Sequence, residues 1–194
     1  MSTPVGRRLS LLALLLCLSS ATRADAQVIA DGGGSPAREP TRPIAAWLAL
    51  GLGSGVLSQG GSGSGSPLAG VLRANLSIGR LLVMARASDV GPFLGGGPGV
   101  SDMALLVGVR SPGRRAFLTA AGGVAAATPY QASCFDCGGG HHNGATVAAL
   151  AFDVGLHANY LVPGVAAGIS GAIGPSSVTH AAFTVAVELG WFGQ

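Results

Sequence analysis

The chain has 194 residues, 11 of them basic and 8 acidic, with no lysine. Only 10 % is charged and the mean hydropathy is +0.53, whereas an ordinary soluble domain is roughly a quarter charged. Once an export signal takes Arg7, Arg8, Arg23 and Asp25 away, 8 basic and 7 acidic residues remain, a net of +1; that excludes a basic nucleic-acid-binding surface.

The signal is legible at the N-terminus. Arg7 and Arg8 precede a leucine-rich run from Leu9 to Leu18, and Ala24-Asp25-Ala26 is a small-x-small cleavage pattern. This is a Sec-type secretory signal over residues 1–26, too short for a spanning helix. Leu16 stands where a lipoprotein signal needs a small residue before Cys17, which argues against lipidation. The remaining stretch, about 168 residues, suits one domain. Residues 27–43, "QVIADGGGSPAREPTRP", are rich in Gly, Pro and charge and read as a flexible periplasmic lead-in. No later apolar run is a convincing spanning helix. The nearest, 116–127, carries Gly122-Gly123, which disfavours helix. An apolar exported chain without spanning helices points to a closed β-barrel.

From residue 44 onward, strands are predicted at about 45–57, 68–79, 80–90, 101–111, 114–128, 144–161, 163–174 and 178–192, each long enough for a tilted span. Period-2 alternation carries the assignment. In the second strand Leu72, Ala74, Leu76 and Ile78 oppose Arg73, Asn75 and Ser77. Arg86 and Ser88 share one face of the third, with Val83, Ala85 and Ala87 on the other. In the fourth, Met103, Leu105, Val107 and Val109 oppose Asp102, Ala104, Leu106, Gly108 and Arg110. The sixth sets Leu150, Phe152, Val154 and Leu156 against Ala151, Asp153, Gly155 and His157. The last sets Ala181, Phe183, Val185, Val187, Leu189 and Trp191 against His180, Ala182, Thr184, Ala186, Glu188 and Gly190. Strands one, five and seven are weaker, being mostly Ala, Gly and aliphatic residues. The connections "SIGR", "SPGR" and "LVPG" are tight; those after the first, third and fifth strands are long, and "GPSS" is short. Short turns at one end and longer loops at the other suit a barrel with both termini in the periplasm.

On these patterns residues 44–194 resemble a small eight-stranded outer-membrane β-barrel of the OmpA or OmpX type. The resemblance implies an all-β, antiparallel, up-and-down transmembrane barrel in the cell outer membrane. It implies contact with outer-membrane lipids and with the barrel-insertion machinery, which reads a terminal aromatic. "VAVELGWF" supplies one, although Gly193 and Gln194 follow. The expected role is non-enzymatic and structural, or contact with an external ligand or surface through the long loops, with no cofactor. Two alternatives stand beside it. A soluble periplasmic lipocalin-like binding barrel would turn the same apolar faces inward, but the opposite faces carry too little charge to be wetted. A lipid-modifying enzyme of the outer membrane would need a nucleophile, a base and a carboxylate; only His180 near Ser176 or Ser177 offers a start, and no catalytic set is assigned.

If the polar faces line the interior, they bring Arg73, Arg86, Arg110, Asp153, His157, His180 and Glu188 inside. Buried charges need partners, so Arg73 or Arg86 is expected to pair with Asp153 or Glu188. "CFDCGGGHHNG" holds Cys134, Cys137, His141 and His142. Two thiols and two imidazoles match a tetrahedral zinc set, but adjacent histidines reach one metal poorly. In an oxidising compartment a Cys134–Cys137 disulfide is favoured, and no metal site is assigned. "GLGSGV" lacks the full dinucleotide-binding pattern, and "GGSGSGSP" is a flexible loop by composition. Trp47, Phe93, Tyr130, Tyr160, Trp191 and Phe192 fall near strand ends, where aromatic girdles sit.

Overall fold

A computed structural model describes residues 44–58, 67–92, 96–113, 115–132, 142–159 and 163–192. Its strands are β1 (Ile44–Leu57), β2 (Leu68–Ile78), β3 (Leu81–Gly91), β4 (Gly97–Arg110), β5 (Ala116–Ala132), β6 (His142–Asn143), β7 (Val147–Ala158), β8 (Gly164–Ile173) and β9 (His180–Trp191). Eight are long; β6 is a two-residue rung that pairs only with the end of β5. Each long strand is antiparallel to its neighbour, and β1–β9 and β4–β5 pairings close the sheet on itself. Closure leaves none of the eight long strands at a free edge, which a membrane-spanning sheet requires. No helix among the described residues is long and apolar enough to cross a membrane.

Strand boundaries differ from the sequence reading mainly at one end. β4 begins at Gly97 rather than near 101, and β5 runs on to Ala132, because Gly97↔Ala132 through Val100↔Pro129 extend that hairpin. β7 starts at Val147, later than expected. The β2–β3 connection is the two-residue turn Gly79-Arg80 closed by Ile78↔Leu81. Gly79 has φ 62 and no described non-glycine residue has positive φ, the sign pattern of a glycine-first II′ hairpin, whose twist suits adjoining strands. The β2–β3, β4–β5 and β7–β8 connections share one end, hereafter the turn end. The opposite, loop end carries the connections after β1, β3 and β5 and the short Gly174–Thr179 link.

The wall alternates throughout, including the strands whose composition is weak. In β1, Ala45, Trp47 and Ala49 are buried while Leu48, Leu50 and Leu52 are 56 %, 65 % and 74 % exposed. β9 buries Ala182, Thr184, Ala186 and Glu188 and exposes Phe183, Val185, Val187 and Leu189. Water-soluble monomers rarely expose a contiguous apolar patch above a few hundred Å2; here it girdles the molecule. Ten strand rises from Ala181 to Trp191, at ~3.3 Å each and tilted ~40°, span about 25 Å, the height of a lipid-facing band.

Inside, the filling is layered. Val90, Val100 and Val178 lie buried at the loop end, Val178 being folded over by the β8–β9 link, whose Val178 N–H donates to Pro175 O at 2.9 Å. Leu82, Met84, Leu106, Phe117 and Trp47 pack the half nearer the turn end. Charged side chains occupy the space between and beside these clusters. An eight-stranded barrel is just wide enough for side chains to fill, and the interior uses that width completely enough to bury Glu188 and Asp153 to 0 % and 1 % exposure.

Candidate functional site

The inward face collects the chain's unusual chemistry. Three guanidinium groups (Arg73, Arg86, Arg110) and three carboxylates (Asp102, Asp153, Glu188) are buried there with His157 and His180. The three guanidinium and three carboxylate charges match one for one. Each side chain reaches the interior because it occupies the small-residue face of an alternating strand.

Nearer the loop end, Arg73 Nε donates to Asp153 Oδ2 at 2.7 Å, and Arg73 Nη2 to Thr184 Oγ1 at 3.3 Å. Arg86 Nη2 donates to both Asp102 oxygens at 3.1 Å and to Gly171 O at 3.1 Å, while its Nη1 donates to Phe152 O at 2.7 Å. Arg86 also lies 3.9 Å from Asp153. Asp102 accepts from Ser88 Oγ at 2.7 Å. His180 Nε2 stands 2.9 Å from Asp102 Oδ2, an ion-pair distance off the hydrogen-bond axis, and its Nδ1 donates to Val178 O at 3.0 Å. Two carboxylates thus hold two guanidiniums, with Asp153 touching both. Pairs this buried contribute little net stability, but removing one partner strands the other.

Nearer the turn end, Glu188 Oε1 accepts from Trp47 Nε1 at 3.0 Å and from His157 Nδ1 at 2.7 Å. A carboxylate cannot donate, so His157 donates through Nδ1; its Nε2 lies 2.8 Å from the Thr119 hydroxyl. The His157 ring stacks on Phe117 at 4.6 Å. Arg110 covers the other side of that ring, 3.9 Å from the Phe117 centroid, and donates to Ser77 Oγ, Gly113 O and Phe192 O. Gly190 pairs with Trp47, and a Cβ there would meet Ala46 O and the Trp47 Cα and Cβ.

Several expectations change accordingly. Arg73 and Arg86 do meet Asp153, but Glu188 pairs with His157 and Trp47 rather than with an arginine, because β9 places it two turns of alternation nearer the turn end than Thr184. Asp102, which sits on the polar face of its strand, is the principal partner of Arg86 and was absent from the expected network. Trp47 is not a girdle residue: it is 3 % exposed inside the barrel. Phe192 packs against the same interior cluster. Trp191, 70 % exposed, does lie on the outer wall. Cys134, Cys137, His141, Phe93 and Tyr160 lie outside the described residues, as does the side chain of His142. Among the described residues no group of three His, Cys, Asp or Glu side chains is placed to hold a metal.

Glu188, His157 and Thr119 form a carboxylate–imidazole–hydroxyl chain, the order of an activated nucleophile. Access decides against that chemistry. All three are at most 3 % exposed, and the imidazole stacks on Phe117 with Trp47 edge-on at 5.9 Å. His180 is likewise turned inward to Asp102 and not toward Ser176 or Ser177. What the arrangement does chemically is neutralise and fill the barrel.

No protein-family model and no curated protein matches the sequence. Solved structures do share its architecture. The crystal structure of Neisserial surface protein A superposes with a TM-score of 0.58 at 12 % identity, covering 75 % of this chain and 96 % of that one. Ail, the attachment invasion locus protein of Yersinia pestis, gives 0.50 at 12 % identity over 77 % and 98 %. Its complex with the heparin analogue sucrose octasulfate gives 0.51 at 13 % over the same shares. The chain therefore has the fold of the small eight-stranded outer-membrane barrels.

Proposed function

We propose that this protein is an exported, integral outer-membrane barrel without enzymatic activity, which anchors its long connections at the cell surface for contact with an external ligand or surface. One observation carries the reading: polarity is inverted, with an apolar outer wall around a paired, charge-balanced interior. Lipid is the medium that makes such a wall favourable. The charged groups of that network are buried, which favours a role at the loop end over chemistry within the barrel. Residues 1–26 act as the cleaved signal, 27–43 as the periplasmic lead-in and 44–194 as the barrel, with the Trp191-Phe192 pair presented to the insertion machinery.

Expression in a Gram-negative cell tests this. The protein should stay with the outer-membrane pellet after a carbonate wash. It should also run at a different mobility on SDS gels before and after boiling. Recovery in the soluble periplasm with no heat-dependent shift would overturn the reading in favour of a soluble binding barrel.

A further inference from the structure

One part of the outer wall breaks the apolar rule. Cross-strand partners Leu52↔Gly70, Gly70↔Asp89, Asp89↔Ser101 and Ser101↔Thr128 form a single outward-facing row over β1 to β5. Thr146, just before β7, extends it, its hydroxyl 2.7 Å from that of Thr128. The row lies within about five residues of the loop end on every strand. A row nearer the turn end, Leu76↔Val83↔Val107↔Gly122↔Phe152, is apolar or small throughout. An ionisable residue on a lipid-facing wall is costly and is retained for a purpose. Asp89 is exposed there, and it is held in place: Tyr130 lies over Gly91 and Gly99, where any Cβ would strike its ring or hydroxyl, and donates to Asp89 Oδ1 at 2.9 Å.

Directly against this row the wall is hollow. An open groove of about 700 Å3 runs over Gly70, Ala87 and Ala126, walled by Leu50, Leu72 and Met103 and bordered on its loop-end side by Asp89, Ser101, Thr128 and Thr146. That is within the roughly 300–1,000 Å3 of small-molecule sites. A Cβ at Gly70 would meet nothing within 4 Å, so the glycine leaves space that no neighbour fills.

We infer that this groove binds one acyl chain of an outer-leaflet glycolipid whose chain joins the head group through hydrogen-bond donors, an amide N–H or a chain hydroxyl. The apolar floor takes the chain, and the polar border lies where chain meets head group. Charge complementarity selects the class. A carboxylate only accepts hydrogen bonds, and Tyr130 occupies one of its oxygens. An ester-linked phospholipid offers only acceptors at that depth, and its phosphate would meet Asp89 as a like charge. An amide- or hydroxyl-bearing junction supplies the donors that Asp89 needs, and the Ser101, Thr128 and Thr146 hydroxyls can serve as donor or acceptor. The inference rests on the membrane reading above.

The test uses the full folded protein in detergent micelles, equilibrated with N-(β-hydroxymyristoyl)glucosamine and dimyristoyl phosphatidylcholine together. Lipid retained on the intact protein is read by native mass spectrometry. Wild type should retain the amide lipid about tenfold over the phospholipid, the yield of one charge-assisted hydrogen bond. Gly70→Leu, whose Cβ has room and whose side chain enters the groove, should lower retention of both lipids about tenfold. Asp89→Ala should keep the chain but bring the two lipids to within about twofold of each other. Equal retention of the two lipids by wild type, or retention unchanged in Gly70→Leu, would overturn the proposal and mark the contact as bulk lipid only. Gel mobility before and after boiling is recorded on the same samples: its presence with equal retention sinks the glycolipid site alone, whereas its absence sinks the membrane reading and the site with it.

Discussion

Asp153 shows how tightly individual residues are committed in this interior. It is 1 % exposed and lies 2.7 Å from Arg73 and 3.9 Å from Arg86. Asp153→Asn keeps the shape and removes the charge, leaving two guanidiniums to share Asp102. We expect a loss of about 3–5 kcal/mol, the scale for breaking a buried ion pair. Urea unfolding of the protein in lipid vesicles measures it, and Arg73→Met added to Asp153→Asn should recover part of the loss. A change below about 0.5 kcal/mol, the scale of an ordinary surface substitution, would show that the pair is not formed. The sequence discloses which residues face inward but not whom they meet. Asp102 stands on the polar face of its strand alongside Arg110, yet its pairing with Arg86 depends on the Arg86↔Ala104 register, which composition does not encode. Trp47 is an instructive miss. Its place near a strand start suggests a girdle, but its own alternation groups it with Ala45 and Ala49, the buried face, and that signal was available.

At the scale of the strand, the alternation is the whole code. β9 is the clearest case: its inner residues Ala182, Thr184, Ala186 and Glu188 are 5 %, 1 %, 2 % and 0 % exposed, while Phe183 to Leu189 face out. Val185→Arg places a charge in the middle of the apolar band. In a bilayer it should destabilise by about 2–4 kcal/mol, whereas on a water-facing wall a surface substitution stays within about 0.5 kcal/mol. Unfolding of this variant in vesicles reads the difference. β1, β5 and β8 looked weak because Ala and Gly blur the contrast between faces; in the closed barrel their inner alanines are buried and their outer Leu, Val and Ile exposed. The loop-end extension of β4 and β5 was not legible, because Gly97, Pro98 and Gly99 carry no strand signal of their own. They are drawn into the sheet by pairing with Gln131, Tyr130 and Ala132. The hollow under Asp89 was equally hidden: its residues come from five strands, and none is conspicuous in its own stretch.

For the molecule as a whole, the defining feature is which side of the wall meets lipid. The two tryptophans report it between them. Trp47 is 3 % exposed within the barrel and bonded to Glu188; Trp191 is 70 % exposed on the outer wall. The most direct measurement is fluorescence of the single-tryptophan variants Trp191→Phe and Trp47→Phe, each folded into vesicles whose lipids carry bromine near the head of the acyl chain. Strong quenching of Trp191 and little or none of Trp47 is expected. Equal quenching of the two, or quenching of Trp47 alone, would contradict an apolar wall facing lipid around a sealed polar interior.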